Sequence, residues 1–561
     1  MISTAATLPT PTNRNYAFVQ PTGGRINNYG VTRRIVNSLL TASFNHQFGE
    51  FIDASLLIGN EIDHNHSEYY DALGTGFTTP GWNSMANTTT QTNAYNKYNR
   101  RTAGFFGNLS VDFRDMLFFN ATGRYDIVSS MPTGNRGFFY PSVSLGFVFT
   151  ELEPLVDNQI VSFGKLRASY AEVGQASSSY LPEPIFVTGG AGSGFLSYGI
   201  SYPFGGISGY KPSRTLYDPN LVPQNTANIE FGVELKFFQN RLGFDYSYYF
   251  QNATDQIFGV PLAGSSGYGS LMMNAGHMQT RGHELIFNVS PIIVRNFAWN
   301  IGVNFTKSVS EVIELAEGVE NISLGGYVTP NIRASAGDTY PVIYGESFVR
   351  DNKGRILVNE NPSSPGYGMP MIGEFKKIGE VSPDFILGLT NSFKLFNFLE
   401  IFGNVEWKQG GQIYSGTNRL MDLYGTTKKT GEGRKGKFIY PGYKSDGTPN
   451  NIERGGSDDS NAFQYLQTTI LSSLPEANIY ETSFVKIRDL GVNITIPRKF
   501  TTPILIQRAS IGFVARNILL WTTLPNLDPE TSQGQGNMQG GMDYMSLPQT
   551  TSFGVNLNLT F

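Results

Sequence analysis

The chain has 561 residues, of which 15% are charged and 13% aromatic, and its formal net charge of −4 indicates no nucleic-acid partner. Cysteine is absent, which excludes a disulfide scaffold, a thiolate metal site and a cysteine nucleophile. No run of about 18 apolar residues predicts a transmembrane helix, whereas a transmembrane β-barrel stays open because half of each barrel strand is polar.

Residues 1–34 are polar, contain Pro, Asn and Gly, and predict a loop segment. Met1–Ala6 lacks the basic region and the apolar region of a signal peptide. From residue 35 the pattern changes: apolar residues alternate with polar ones over 40–48, turn at Gly49–Glu50, and return over 52–58. This spacing predicts a β-hairpin, because successive strand side chains point to opposite faces.

The same alternation recurs to the end of the chain. It is found over 105–113, 117–125, 143–149, 166–170, 229–237, 242–250, 285–289, 297–305, 385–393, 399–407, 484–496, 509–515 and 551–561. We count about fifteen strands. Within 484–496 the apolar positions change from odd to even numbers, which predicts a β-bulge.

Connections alternate between short and long. Short turns are predicted near residues 49, 114, 239 and 396. Long polar loops are predicted at 61–100, 174–226, 252–279, 308–383, 409–480 and 517–549. Outer-membrane barrels are built in this way, with short turns on one side and long loops on the other. The fold class predicted for residues 35–561 is therefore an all-β, antiparallel transmembrane β-barrel.

The last strand has the most regular alternation. From Phe553 every odd position up to Phe561 is Phe, Val or Leu, and every even position is Ser, Gly, Asn or Thr. On its own this strand fits the edge of a soluble sandwich equally well, and the recurrence of the pattern upstream decides for the membrane barrel. Phe561 is a candidate barrel-assembly signal; the alternative is a simple aromatic anchor at the membrane interface.

Several segments are similar to short patterns that occur together in one known family. They are Phe119–Asp126 (TATVRRDG), Phe139–Ser144 (YFPSVSAGW), Lys165–Tyr170 (KLRASYG), Phe484–Leu490 (YLRLRNLTLGY), Leu524–Glu530 (YPGLDPE) and Ser552–Phe561 (TFGLNLTF). In these segments the chain resembles the SusC/RagA-type TonB-linked outer-membrane proteins. Tyr98–Leu109 is also similar to the family's SYFGRLNY strand. These ordered matches extend over most of the chain.

The resemblance implies a location in the bacterial outer membrane and a transport function without bond chemistry. It implies import of glycans or peptides together with a SusD-like surface lipoprotein, and coupling to TonB through an N-terminal region absent here. Outer-membrane lipid and lipopolysaccharide are the expected surroundings. No enzyme activity, cofactor or metal is expected.

The resemblance is partial. A barrel of this class has about 22 strands around a plugged lumen, and no plug domain or TonB box is recognisable in the sequence. We therefore interpret the chain as the C-terminal two-thirds of a longer protein. Two other functions stay open: a passive porin, and a SusC-like barrel that serves as a structural subunit of a larger outer-membrane complex.

Charged residues on the polar faces of predicted strands are the candidate site residues. In a barrel they point into the lumen, because the opposite faces are apolar. They are Arg124, Asp126, Glu230, Glu234, Asp245, Glu406 and Lys408. Salt bridges to the plug are their favoured role, and contact with the solute is the alternative.

For four other motifs the preferred interpretation involves no bound ligand. Asp63–His66 has two close histidines but no further metal ligand in sight. Gly189–Gly194 lacks the helix and the Lys-Ser/Thr pair of a phosphate-binding loop. The basic run at 428–437 predicts a solvated loop, and contact with anionic outer-leaflet lipid or with a partner is the alternative. Asp458–Asp459 lacks the spacing of an EF-hand.

Overall fold

The computed structural model describes residues 2–7, 24–79, 81–156, 158–177, 186–192, 199–431, 434, 436–533 and 540–561. One sheet of seventeen strands dominates the fold, and fifteen of these are long neighbouring strands paired antiparallel. The predicted all-β, antiparallel class is therefore confirmed. We call these fifteen strands the wall.

The first part of the wall is built from long hairpins. The short strand β1 (Ile2–Thr7) precedes the wall strands of this part, which are β2 (Arg25–Phe48), β3 (Ile52–Phe77), β4 (Thr88–Phe113), β5 (Leu117–Val128), β6 (Gly137–Val148) and β7 (Val161–Gln175). β1 pairs with the start of β2. The loop prediction for residues 1–34 is thus wrong over 2–7 and over 25–34, where polar residues continue the β2 ladder beyond its apolar part.

Five short strands precede the next wall strands. They are β8 (Phe186–Thr188), β9 (Gly190–Gly192), β10 (Gly199–Ser201), β11 (Tyr210–Pro212) and β12 (Thr215–Tyr217). The wall continues with β13 (Gln224–Phe237), β14 (Leu242–Pro261), β15 (Ser270–Val294) and β16 (Phe297–Leu315). The loops predicted at 61–100 and 252–279 are wrong, because strands β3, β4, β14 and β15 run through most of both segments. Their polar stretches still pair along the backbone, which needs no apolar side chains.

After β16 the chain leaves the wall and forms a separate four-stranded sheet. Its strands are β17 (Asn321–Gly326), β18 (Asn331–Ser335), β19 (Val342–Phe348) and β20 (Ile372–Glu380). The remaining strands are β21 (Pro383–Leu395), β22 (Leu399–Gly410), β23 (Gln412–Ser415), β24 (Lys437–Phe438), β25 (Arg454–Gly455), β26 (Ile479–Glu481), β27 (Phe484–Ile496), β28 (Arg508–Thr522), β29 (Met542–Asp543) and β30 (Ser552–Thr560).

Helices are few and short. They are α1 (Gly416–Leu423), α2 (Ser460–Tyr465), α3 (Arg498–Thr501), a π-helical turn at Leu466–Leu471, and 3-10 turns at Met85–Asn87, Thr133–Asn135, Phe149–Glu151, Gly264–Ser266, Lys428–Thr430, Pro475–Asn478 and Thr502–Ile504. Among the described residues, no helix combines the length and the apolar character that crossing a membrane requires.

The wall has two unlike ends. At one end, which we call the turn end, strands are joined by residues 49–51, 114–116, 149–160, 238–241, 295–296, 396–398 and 497–507. The other end, the loop end, carries residues 78–87, 129–136, 176–223, 262–269, 316–382, 411–483 and 523–551. Arg114, Asp115, Gln239, Asn240 and Asn397 adopt positive φ, as tight hairpin turns require. The four predicted turns are confirmed.

Two details of the pairing bear on the predictions. The register shifts between Ile487 and Asp489, so the predicted bulge in 484–496 is confirmed. Within the described residues, β30 pairs with β28 and β1 with β2, and neither forms the pairing that would close the sheet. The wall is therefore an open, curved part of a barrel rather than a closed one.

Three loops at the loop end, residues 316–382, 411–483 and 523–551, pack together and form what we call the loop cap. The cap contains buried apolar clusters of its own. One surrounds Met369, Ile470 and Leu474, and a second surrounds Ile332 and Ile343. The cap is thus folded around a core, which the polar composition of the predicted loops did not suggest.

Candidate functional site

All seven predicted charged residues lie on one face of the sheet. Directly opposed residues of an antiparallel pair point to the same side, so the register can be followed across the wall. One row of opposed residues consists of Glu234, Asp245, Ile286, Asn304, Gly388, Glu406 and Lys486. A second row consists of Asn120, Ser144, Ser169 and Glu230. Arg124 and Asp126 share the face of Asn120, and Lys408 shares that of Glu406.

The opposite face of the same strands is apolar. Phe119, Phe231 and Trp407 lie on it, and Phe231 leaves 57% of its surface exposed. Large apolar side chains are therefore exposed on one face, while the paired charges lie on the other. In a water-soluble protein such apolar side chains are usually buried. We call the two surfaces the polar face and the apolar face.

The first charge cluster on the polar face surrounds Arg124. Its Nε donates to Asp126 Oδ1 at 2.8 Å, and its Nη1 donates to Glu61 Oε2 at 3.0 Å. The Tyr140 hydroxyl also donates to Asp126, and Asn37 Nδ2 donates to Glu61 Oε1 at 3.0 Å. Arg124 and Asp126 therefore contact each other, whereas Glu61 was missed because its segment was predicted as a loop.

The second cluster surrounds Arg167. Its Nη2 donates to Asp245 Oδ1 and to Ser247 Oγ, both at 2.6 Å, and its Nε lies 3.8 Å from Glu230 Oε1. Glu234 pairs instead with Lys236, at 2.9 Å. Arg167 joins two predicted residues and was not singled out. Its alternation with Leu166 and Ala168 was the signal that could have found it.

The third cluster ties the loop cap to the wall. Arg488 donates twice to Glu406, with both distances 2.9 Å, and its Nη1 donates to Glu530 Oε2 at 2.6 Å. Lys486, only 3% exposed, donates to Glu530 at 2.6 Å and to Gln549 at 3.0 Å. Sequence periodicity could not find Glu530, because the residue lies in a loop. We call this set the latch.

Two further residues complete the surroundings of the latch. Lys408 Nζ donates to Thr482 Oγ1 at 3.1 Å, and Asp528 lies 3.8 Å from Lys486. Burial works against ionisation of Glu530, but hydrogen bonds from Arg488 and Lys486 outweigh it and lower the pKa of that carboxyl. Arg488 and Lys486 therefore favour the ionised form of the Glu530 carboxyl.

A cavity of about 810 Å³ opens on the polar face toward the turn end. Its lining includes Asn45, Asp112, Lys165, Arg167 and Glu230. One carboxylate oxygen of Asp112 is buried and has no hydrogen-bond partner within the described part of the chain. Because a buried polar atom without a partner is costly, this region of the polar face is suited to contact a further polar surface.

Three tyrosines meet in the loop cap. The ring of Tyr327 lies 6.2 Å from that of Tyr414 and 6.1 Å from that of Tyr544, both edge-on. Burial raises the pKa of Tyr414 to about 12. The three rings therefore contribute packing to the loop cap.

The remaining sequence motifs make contacts within the protein. His66 Nδ1 lies 2.6 Å from Asn99 Oδ1, and its Nε2 lies 3.1 Å from Glu68 Oε1. Lys429 of the basic run pairs with Asp422 at 2.6 Å, and Asp459 pairs with Arg454 at 2.6 Å. Residues 193–194 of the glycine run lie outside the described residues.

Comparison with known proteins gives one matching family model. Its description is "TonB dependent receptor-like, beta-barrel", and it matches residues 4–443. TonB-dependent receptor P26 of Formosa agariphila is 24% identical over 571 residues, which cover 96% of this chain and 54% of that protein. TonB-dependent receptor SusC of Bacteroides thetaiotaomicron is 24% identical over 369 residues, covering 62% of this chain and 35% of SusC.

Solved structures share the fold. The RagAB peptide importer in its closed-closed state matches with a TM-score of 0.76 and 16% identity, covering 100% of this chain and 58% of the RagAB chain. The open-open state matches with a TM-score of 0.73 and 15% identity. The chain spans about half the length of the first curated relatives it matches.

Proposed function

The chain belongs to the TonB-dependent receptor-like β-barrel family of the outer membrane, and from that premise we propose that it forms most of the wall of a TonB-driven nutrient importer. The observation that carries the proposal is the division of the wall into a polar face with three charge clusters and an exposed apolar face. The apolar face contacts lipid, and the polar face lines the lumen. Arg124, Asp126, Glu230, Glu234, Asp245, Glu406 and Lys408 are the lumen residues of this proposal.

The imported solute is a glycan or a peptide, delivered by a SusD-like surface lipoprotein. Support comes from the resemblance to SusC and from the fold shared with a peptide importer. The loop cap supports the same idea, because long ordered loops with a core of their own commonly bind a partner. The cap is the proposed seat of the lipoprotein.

The orientation follows from the unequal ends. The loop end faces the outside of the cell, and the turn end faces the periplasm, where TonB acts on the part of the protein that fills the lumen. Arg167, Arg124 and Asp112 meet that part on the polar face. The wall encloses and lines the lumen, the loop cap seats the lipoprotein, and neither carries out bond chemistry.

Uptake in intact cells tests the proposal. A strain that lacks the gene is grown on glycan or peptide mixtures as the only nutrient, beside a strain that lacks TonB. We expect both to lose growth on the same nutrient and a plasmid copy of the gene to restore growth in the first strain. Pull-down of the tagged receptor in mild detergent is expected to recover a lipoprotein in near-equal amount.

The two alternatives give different outcomes. A passive porin keeps its uptake when TonB is removed. A structural subunit leaves growth on all nutrients unchanged on deletion and co-purifies with several partners. Either outcome contradicts import driven by TonB.

A further inference from the structure

At the turn end, acidic and basic residues lie in different groups of turns. The turns between β2 and β7 contain Glu50, Asp115, Glu151 and Glu153 in their described part, with Arg114 as the basic residue. The turns from β13 to β30 contain no acidic residue in 238–241, 295–296, 396–398 or 497–507. We call these two sections of the rim the acidic arc and the basic arc.

Four cations belong to the basic arc. They are Arg241, Arg295, Arg498 and Lys499, and all four are exposed. Within the described residues, no salt bridge or hydrogen bond involves their side chains. The nearby Lys394 differs, because it lies 3.8 Å from Glu400. The basic arc therefore presents positive charge that the described protein does not neutralise.

Aromatic rings accompany these cations. Phe238, Phe396, Phe398, Phe500 and Phe561 are exposed at the same end of the wall. Lys499 Nζ lies 4.8 Å from the centre of the Phe500 ring. Because β13, β14, β15, β16, β21, β22, β27, β28 and β30 are neighbours in that order, the rings and cations form one continuous belt.

We propose that the basic arc binds anionic phospholipid headgroups of the membrane leaflet at the turn end. The phenylalanine rings enter the boundary with the acyl chains, and the cations meet the phosphates just beyond it. This inference rests on the proposed orientation of the wall. Charge complementarity favours a lipid, because these exposed cations lie at the same end of the wall as exposed rings suited to the membrane interface.

The size of the effect follows from the number of charges. A Lys or Arg near an anionic surface strengthens binding by about fivefold. Removing three cations therefore weakens retention of the lipid on the order of a hundredfold at low salt. Added salt reduces the difference, because exposed charges are screened.

The test uses the full-length receptor in detergent, with phosphatidylglycerol as the probe and phosphatidylethanolamine as the neutral competitor. The basic-arc variant carries Arg241→Gln, Arg498→Gln and Lys499→Gln. Its matched control carries Glu50→Gln, Glu151→Gln and Glu153→Gln in the acidic arc. Retained phosphatidylglycerol is counted by native mass spectrometry, and folding is checked by heat-modifiability on gels.

We expect the basic-arc variant to lose bound phosphatidylglycerol while the acidic-arc variant keeps it. Equal retention in both variants overturns the proposal, as does equal loss. Displacement of the lipid by inorganic phosphate at similar concentration also overturns it, because the arc would then be a general anion site. Uptake is measured separately, so a receptor that binds lipid but imports nothing contradicts only the proposed function.

Discussion

The wall and the loop cap place their apolar side chains in opposite ways. In the cap, Ile332 and Ile343 are fully buried, as in a water-soluble domain. In the wall, Phe231 and Trp407 lie exposed, and the charges of Arg124 and Arg167 lie on the other face. Backbone hydrogen bonds between strands therefore hold the wall together, whereas burial of apolar side chains holds the cap together.

Deletion of Phe561 is expected to have the largest effect, because it acts on assembly of the wall and leaves the cap without support. Phe561 directly follows β30 at the turn end and is 76% exposed. We expect most of the barrel to be missing from the outer membrane, with protein accumulating or degraded in the periplasm. Fractionation and heat-modifiability measure this, and Phe561→Tyr is the nearly silent control because the ring is kept.

A normal level of heat-modifiable barrel after the deletion would leave Phe561 as a plain interface anchor. In that case only stability should fall, through lost apolar burial of about 25 cal/mol per Å².

Arg488→Ala tests the contact between the two regions. The substitution leaves Glu406 and Glu530 without their shared partner, and breaking a partly buried ion pair in this way costs about 3–5 kcal/mol. We expect faster proteolysis within 523–551 and a lower unfolding midpoint. Arg516→Ala is the matched control, because the Arg516–Asp489 pair is 3.2 Å apart but Arg516 is 64% exposed, and exposed pairs contribute about 0–1 kcal/mol.

Equal effects of the two arginine substitutions would show that the latch is an ordinary surface contact. The cap would then be held to the wall by packing alone.

The sequence predicted the wall better than the cap, for a physical reason. Alternation over 229–237 and 399–407 gives both the strand and its faces, because one face must meet lipid and the other must not. The polar strands at 61–77 and 88–100 were not predicted from the sequence. They are paired through backbone hydrogen bonds, and their side chains show no apolar–polar alternation. The core around Ile332 was missed because short strands in a long loop lack a sustained period.

The residues of the candidate site also fall into those that the sequence predicted and those that it did not. Glu406 was found by its position on a strand, and its partner Arg488 was not, because the bulge between Ile487 and Asp489 breaks the alternation there. Glu530 comes from a distant loop, and only the folded chain brings it to Arg488. Residues on regular strands were therefore predictable one at a time, and their partners were not.

The same truncation in both regions tests the difference in packing. Ile332→Ala removes fully buried atoms from the cap and should cost about 2–5 kcal/mol. Ile229→Ala, on the apolar face of the wall, should cost less, because Ile229 is 38% exposed and lipid fills part of the space. Thermal unfolding of the purified receptor compares the two variants, and similar losses would contradict the contrast between cap and wall.

A charge placed on each face of the wall tests the division into two faces. Phe231→Lys puts a cation into lipid and should cost about 2–4 kcal/mol near the middle of the membrane. Asn304→Lys lies at a similar height on the polar face and should be tolerated. Equilibrium unfolding in liposomes measures both, and equal tolerance would mean that the faces have been assigned wrongly.

Acid is expected to have the smallest effect and to act on the latch rather than on the cap's core. The pKa of Glu530 is lowered in the folded protein, so its stabilising contribution is fully present above the ordinary value of about 4.3. That contribution falls as the pH drops below 4.3 through the lowered value, because the protonated carboxyl no longer pairs with Arg488 and Lys486. Proteolysis within 523–551 should therefore rise on acidification while the segment around Ile332 stays protected.

The control is Glu530→Gln, which should make residues 523–551 susceptible to proteolysis at every pH and remove most of the pH dependence. If this variant keeps the full response to acid, the response belongs to another carboxylate.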